Sequence, residues 1–299
     1  MTVRIGFKTS PQDVDWPTVD ATWRRAGELA GEPGGGFDSG WLNDHLTNLD
    51  AEHPGSSLEA LTLLATVVHH VPGLMVGHAV LSNTFRRPVL LAKAAVVLDH
   101  ATGGRFVLGL GAGWFEAEHG PFGIDLPPIG ERIDRLQSAV GVLGALFSPA
   151  ASTPDGVTRP DPFYPLKDAT NLPAPFTPGG PPLYLGGQKP RGIALAARSA
   201  RGWFQPGTDA GDADYLREKR DALVAALEAV GRDPADFDVV GQVHPGRTAA
   251  GRAEAVRAAR AMVDGGATHI ILGVPANGGP AALDEIAREC LAPLRERFA

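Results

Sequence analysis

Short β-branched or apolar runs alternate with longer helical patterns along almost the whole chain. Strands are expected at Val3–Phe7, Phe37–Leu42, Leu74–Leu81, Arg105–Leu110, Leu183–Leu185, Gly202–Gln205, Phe237–Val243 and Thr268–Gly273. Helical patterns fill the gaps. Ile133, Leu136, Val140, Leu143 and Phe147 recur at spacings of three and four, the mark of one buried helix face. Pro88 and Pro190 stand where a first helical turn tolerates a missing N–H. Strictly alternating β and α elements call for a parallel sheet. Eight such units within 299 residues favour a closed barrel, which takes roughly 250 residues, over an open sheet. The predicted fold is therefore α/β, a (β/α)8 TIM barrel forming one domain over residues 1–299.

One segment breaks the rhythm. From Ser148 to Gly180, between the fourth and fifth strands, prolines stand at 149, 154, 160, 162, 165, 173, 175 and 178, and no long periodic run occurs. A connection of this length without its own helix is usually functional or disordered. It is expected to lie over the carboxyl-end face of the barrel.

A net charge of −7 and a pI near 5.7 argue against nucleic acid or an anionic membrane as partner. No apolar run approaches the ~20 residues of a membrane span, and the first residues lack the pattern of a secretory signal. Cys290 is the only cysteine, so no intrachain disulfide can form, and a cytoplasmic location is expected.

In a barrel, chemistry belongs just past the carboxyl ends of the strands. The fourth strand runs into Gly109, Gly111 and Gly113, followed by Trp114. Glycines there would let a flat or phosphorylated ligand approach the main chain, although the spacing is neither G-x-G-x-x-G nor a phosphate loop. The fifth strand runs into Gly186-Gly187-Gln188-Lys189 before a helix opening at Pro190. The free N–H groups of that helix start make it a candidate phosphate seat. His45, after the second strand and beside Asp44, is the candidate acid–base group, because imidazole titrates near neutrality unaided. Lys8, Gln205 and His244 end the first, sixth and seventh strands. The nine histidines are scattered without an H-E-x-x-H pair, so no metal site is expected. Glu116, Glu118 and His119 read as a solvated helix start.

Four blocks carry a family resemblance: Phe37-Asp-Ser-Gly-Trp-Leu-Asn-Asp-His45, Pro88–Phe122, Pro127-Pro-Ile-Gly-Glu-Arg-Ile-Asp-Arg135, and Pro181-Pro-Leu-Tyr-Leu-Gly-Gly187 with the helix and Gly202-Trp203 that follow. In order and over essentially the whole chain, they resemble the bacterial luciferase-like superfamily, and within it the actinobacterial coenzyme F420-dependent oxidoreductases. The resemblance implies a barrel that binds reduced flavin or deazaflavin at its carboxyl-end face. It also implies a non-prolyl cis peptide near Ala79-Val80 that supports the ring, a role for His45 in hydride chemistry, and a phosphate held at Gly186–Gln188. Cofactor contacts are thus expected from Asp44, Ala79, Val80, Gly111, Gly113, Trp114, Gly186, Gly187, Gln188, Lys189 and Gln205. One departure is clear: the sugar-phosphate dehydrogenases of the family carry a catalytic glutamate where this chain has Trp114.

The expected function is hydride transfer between F420 and a small organic substrate, catalysed with His45. The alternatives are a monooxygenase using reduced FMN from a separate reductase, and a flavin-binding barrel without turnover. A homodimer is expected through outer helices bearing Leu63 and Val67.

Overall fold

The computed structural model describes residues 3–298 apart from 33, 34, 51 and 54. Eight parallel strands, β1 (Arg4–Thr9), β2 (Ser39–Leu42), β3 (Met75–His78), β4 (Phe106–Gly111), β5 (Leu183–Gly186), β6 (Gly202–Phe204), β7 (Asp238–Val243) and β8 (His269–Gly273), pair in ring order. β1 lies between β2 and β8, and pairing of Val76 with Phe106 and Gly77 with Val107 closes the ring between β3 and β4. Beyond a cis peptide at Ala79-Val80, the chain rejoins β4 through Leu81 and Ser82. The expected third strand is thus interrupted by a bulge, and the cis bond falls where the family resemblance implied.

Each strand is buried on both faces, which is why the runs read as continuously apolar rather than alternating. Phe7 packs outward on Trp23 and Phe37, with ring centroids 5.1 and 5.3 Å apart. Trp41, Val107, Tyr184, Phe204, Val240 and Ile271 fill the barrel interior. The barrel is therefore packed below its mouth, and a ligand must sit above these rings.

The surrounding helices are α1 (Trp16–Leu29), α2 (Ala60–Val67), α3 (Pro88–Thr102), α4 (Ile129–Phe147), α5 (Pro190–Ser199), α6 (Ala213–Ala229), α7 (Ala249–Asp264) and α8 (Gly279–Ile286). Beyond α8 the chain continues through one wide turn into Ala292–Phe298. Asp15, Asp212 and Thr248 cap α1, α6 and α7 by accepting from a backbone N–H three residues on, worth about 1 kcal/mol each. α3 stops at Gly103, which takes the left-handed conformation at φ 61°. Cys290 is buried in the last turns, and burial pushes its thiol up to about 11.

Two expectations are corrected here. The Ser148–Gly180 segment does not cover the carboxyl-end face. It carries a short antiparallel hairpin, Val157–Arg159 with Leu166–Ala169, and packs on the outer wall. Its contacts run along α3, where Lys93 donates to Leu172 O and Thr177 to Asp99, and along α4, where Asn171 donates to Leu146 O. Only the hairpin tip reaches the rim: Tyr164 lines a small cleft with Asn83–Arg87, Ala112 and Arg132. Secondly, Leu63 and Val67 face the barrel and are fully buried, so they offer nothing to a partner. Among the described residues no helix is long and apolar enough to cross a membrane.

Candidate active site

The loops after β2, β3 and β4 meet at the barrel mouth around a buried ion pair. Asp44 accepts from Arg86 through both oxygens, at 2.5 and 2.9 Å, and from the Ser82 backbone N–H at 2.8 Å. Arg86 also reaches Glu59, whose side chain caps α2. Asp44 thus has both oxygens taken and its side chain buried. It ties the β2 loop to the chain just past the Ala79-Val80 bulge. Removing one partner of such a buried pair strands a charge and costs about 3–5 kcal/mol.

His45 follows on the same loop. Its Nδ1 lies 3.0 and 3.1 Å from the two carboxylate oxygens of Glu118, and Glu118 Oε2 also accepts from the Leu46 N–H at 2.8 Å. A buried carboxylate on one ring nitrogen fixes the tautomer and the ring's direction. Nδ1–H donates to Glu118, and Nε2, with no hydrogen bond among the described residues, is the free basic atom. Trp114 and Phe115 stand edge-to-face against the imidazole, with centroids 6.0 and 6.3 Å away.

Glu116 is exposed at the start of a short helical turn, but Glu118 is 2% exposed and His119 is 1% exposed, which overturns the solvated reading for those two. His119 donates from Nδ1 to Phe115 O and accepts from Thr84 at Nε2, pinning the β4 loop to the β3 loop. Sequence reasoning missed Glu118. The available signal was an acid on the loop leaving the strand-four glycines, four residues beyond the position where the related sugar-phosphate enzymes carry theirs.

Gly109 and Gly111 of β4 and Gly113 just beyond it stand close against the bulged third strand and the loop after it. A Cβ at Gly109 would lie 1.8 Å from His78 O, and one at Gly111 would lie 2.8 Å from Val80 Cγ2. At Gly113 (φ 78°) it would meet the Ser82 and Thr84 hydroxyls at 2.7 Å. These glycines admit the bulged third strand, which then shapes the mouth; Val80 also sits 3.3 Å from a Cβ on Gly186.

Gly187 is open. A Cβ there would meet only Gly192 Cα, at 3.6 Å, and its φ of 123° belongs to glycine. Trp203 Nε1 donates to Gly187 O at 2.9 Å and holds the turn. α5 begins immediately afterwards with no side-chain cap on its first N–H groups. Gln188 is half-buried and Lys189 exposed beside it. This uncapped turn, with glycine at 186 and 187, fits a phosphate-bearing cofactor. Because of its φ, however, any side chain at 187 would strain the loop as well as block approach.

Gln205 is fully buried, and its amide donates to Asp209 O and Asp212 O. Its side chain organises the β6 loop. The structure therefore brings His45, Trp114, the Ala79-Val80 bulge and the Gly111–Gly113 turn to one rim, with Gly186–Lys189 next along it.

A luciferase-like monooxygenase family model matches residues 4–296. The F420-dependent glucose-6-phosphate dehydrogenase of Kribbella flavida is 30% identical over 80% of this chain and 67% of its own length. A phthiodiolone/phenolphthiodiolone dimycocerosates ketoreductase of Mycobacterium tuberculosis is 28% identical over 67% of this chain, which spans only 54% of that protein. Among solved structures, an F420-dependent secondary alcohol dehydrogenase in complex with an F420–acetone adduct superposes with a TM-score of 0.80. It is 17% identical, and the match covers 98% of this chain and 99% of that one.

Proposed function

The chain belongs to the luciferase-like monooxygenase family, and on that premise we propose that it is an oxidoreductase using coenzyme F420 for hydride exchange with a small organic substrate. The relatives named above support the choice of cofactor. The observation that carries the catalytic reading is the His45–Glu118 pair, with its basic nitrogen free at the barrel mouth.

Reduced F420, when bound, supplies a hydride. Gly186–Lys189 and the uncapped start of α5 would hold its phosphate, and the Ala79-Val80 bulge would support its ring. His45 Nε2 gives or takes the proton that accompanies the hydride, while Glu118 holds Nδ1–H and stabilises the imidazolium. Trp114, exposed at the rim beside the imidazole, would offer an apolar surface to the substrate. Asp44 and Arg86 keep the bulge in place. The lone cysteine and the acidic charge support a cytoplasmic enzyme. A homodimer would use the side of the barrel where Leu90 and Val97 of α3 and Leu172 and Phe176 of the proline-rich segment are exposed; sedimentation as a monomer at micromolar concentration would rule that out.

The deciding experiment is separate titration of the purified protein with F420 and FMN, followed by absorbance and fluorescence. Saturable F420 binding at least about tenfold tighter than FMN is expected. Tight FMN binding with oxygen-dependent oxidation of the reduced form would instead make it a monooxygenase that depends on a separate reductase.

A further inference from the structure

Lys8 is a cation inside the barrel mouth without an anion. Phe7 points outward to α1, so Gly6 and Lys8 point inward; a Cβ on Gly6 would touch Trp41, one of the rings filling the barrel. Lys8 stands two residues further along β1 toward its carboxyl end, in register with Trp41 of β2, and is half-buried. Its ammonium donates to Gln242 Oε1 on β7 and lies 3.9 Å from a Cβ position on Gly207, in the loop after β6. The Gln242 amide nitrogen is itself committed to Gln205 O at 2.6 Å. Lys8 pairs in register with Gly273 of β8, which lies between β1 and β7, so no side chain from that strand covers the ammonium. No carboxylate pairs with it among the described residues, and burial alone brings it down to about 8. His244, also at the mouth, is exposed and stands beside Gly273.

A half-buried ammonium whose only partner among the described residues is one neutral oxygen is poorly compensated. A flexible four-carbon stem would ordinarily carry it out to water. Such a group is retained where a ligand completes its charge. We propose that Lys8 anchors the substrate through a carboxylate, which makes the substrate class a small organic acid carrying the carbonyl or hydroxyl group that exchanges hydride. This rests on the oxidoreductase reading above and names its substrate class. The competing role is a strut, in which Lys8 and Gln242 merely brace β1 against β7 across β8.

The test uses the F420 complex and two pairs of probes, pyruvate with pyruvamide and benzoylformate with its amide. Dissociation constants are read from the absorbance and fluorescence of the bound cofactor. The parent should bind at least one acid about tenfold or more tightly than its amide. Lys8→Met, which keeps the stem and removes the charge, should bind acid and amide alike, with F420 affinity and melting temperature held. Lys8→Arg should retain the preference. Absence of acid preference in the parent for both pairs, or its survival in a folded Lys8→Met protein, overturns the proposal and leaves Lys8 as a strut. Failure of the parent to bind F420 overturns the cofactor reading instead. The same probe pairs are then compared by calorimetry on the protein alone, where equal binding of acid and amide also ends the role of Lys8.

Discussion

His45 is directed by two contacts from one carboxylate, and Glu118 is fixed in turn by the Leu46 N–H. In the proposed role the imidazole is the proton carrier. His45→Ala should therefore lower turnover by roughly 10²–10⁴ while F420 affinity changes only a few fold. Glu118→Gln keeps the size and the backbone contact but loses the charge that stabilises the imidazolium, and turnover should drop by about 10-fold or more. A histidine that only packs would behave differently. Its loss would lower the melting temperature and leave the rate per folded molecule intact. Rate, cofactor affinity and melting temperature measured together on both variants distinguish the two roles.

At the scale of elements, β3 and β4 fit each other because of where glycine stands. Gly109→Ala would drive a methyl onto His78 O, a backbone atom that cannot move without displacing β3. A loss of about 3 kcal/mol or more, or no soluble protein, is expected. Gly144 is the matched control: it lies on the exposed face of α4 with nothing within 4 Å of its Cβ position. Gly144→Ala should stabilise by about 0.5–1 kcal/mol, since alanine is the better helix former. Urea unfolding of the two variants against the parent checks both signs. Equal effects would mean that the β3–β4 contact is looser than the geometry states.

At the scale of the whole molecule, the buried, uncharged His78 and His269 make it sensitive to acid. His78 donates from Nε2 to Ala60 O, and His269 meets Ser39 Oγ; both are fully buried. Burial brings His78 down to about 4, and burial with the nearby Arg4 charge brings His269 down to about 3. An unfolded chain takes up these protons near pH 6.5, whereas the folded protein does not until far lower. Stability is therefore complete above about pH 6.5 and falls as the pH drops toward 4. The limiting slope is about 1.4 kcal/mol per pH unit for each histidine. The urea midpoint should fall clearly between pH 7 and pH 5, and His78→Gln should flatten that decline. A flat profile in the parent would contradict the burial of both rings.

The barrel was legible in the sequence because its signals are local: β-branched runs, helical spacing, caps and breakers repeat unit by unit. The rim was legible for the same reason, since position at a strand end needs only the element boundaries. The expectations of a phosphate seat at Gly187 and a catalytic role for His45 follow from this. What stands next to what across the barrel is not a local property. Glu118 and His45 are 73 residues apart and meet only because the loops after β2 and β4 converge. Asp44 adjoins His45 in sequence, yet it serves Arg86 and Ser82, because adjacent side chains leave an extended chain in opposite directions. The proline-rich segment looked like a cover for the mouth but packs on α3 and α4, where those helices offer their hydrogen-bonding groups and apolar flank. Local pattern determined the elements and their order, and tertiary closure of the barrel decided which side chains share the site.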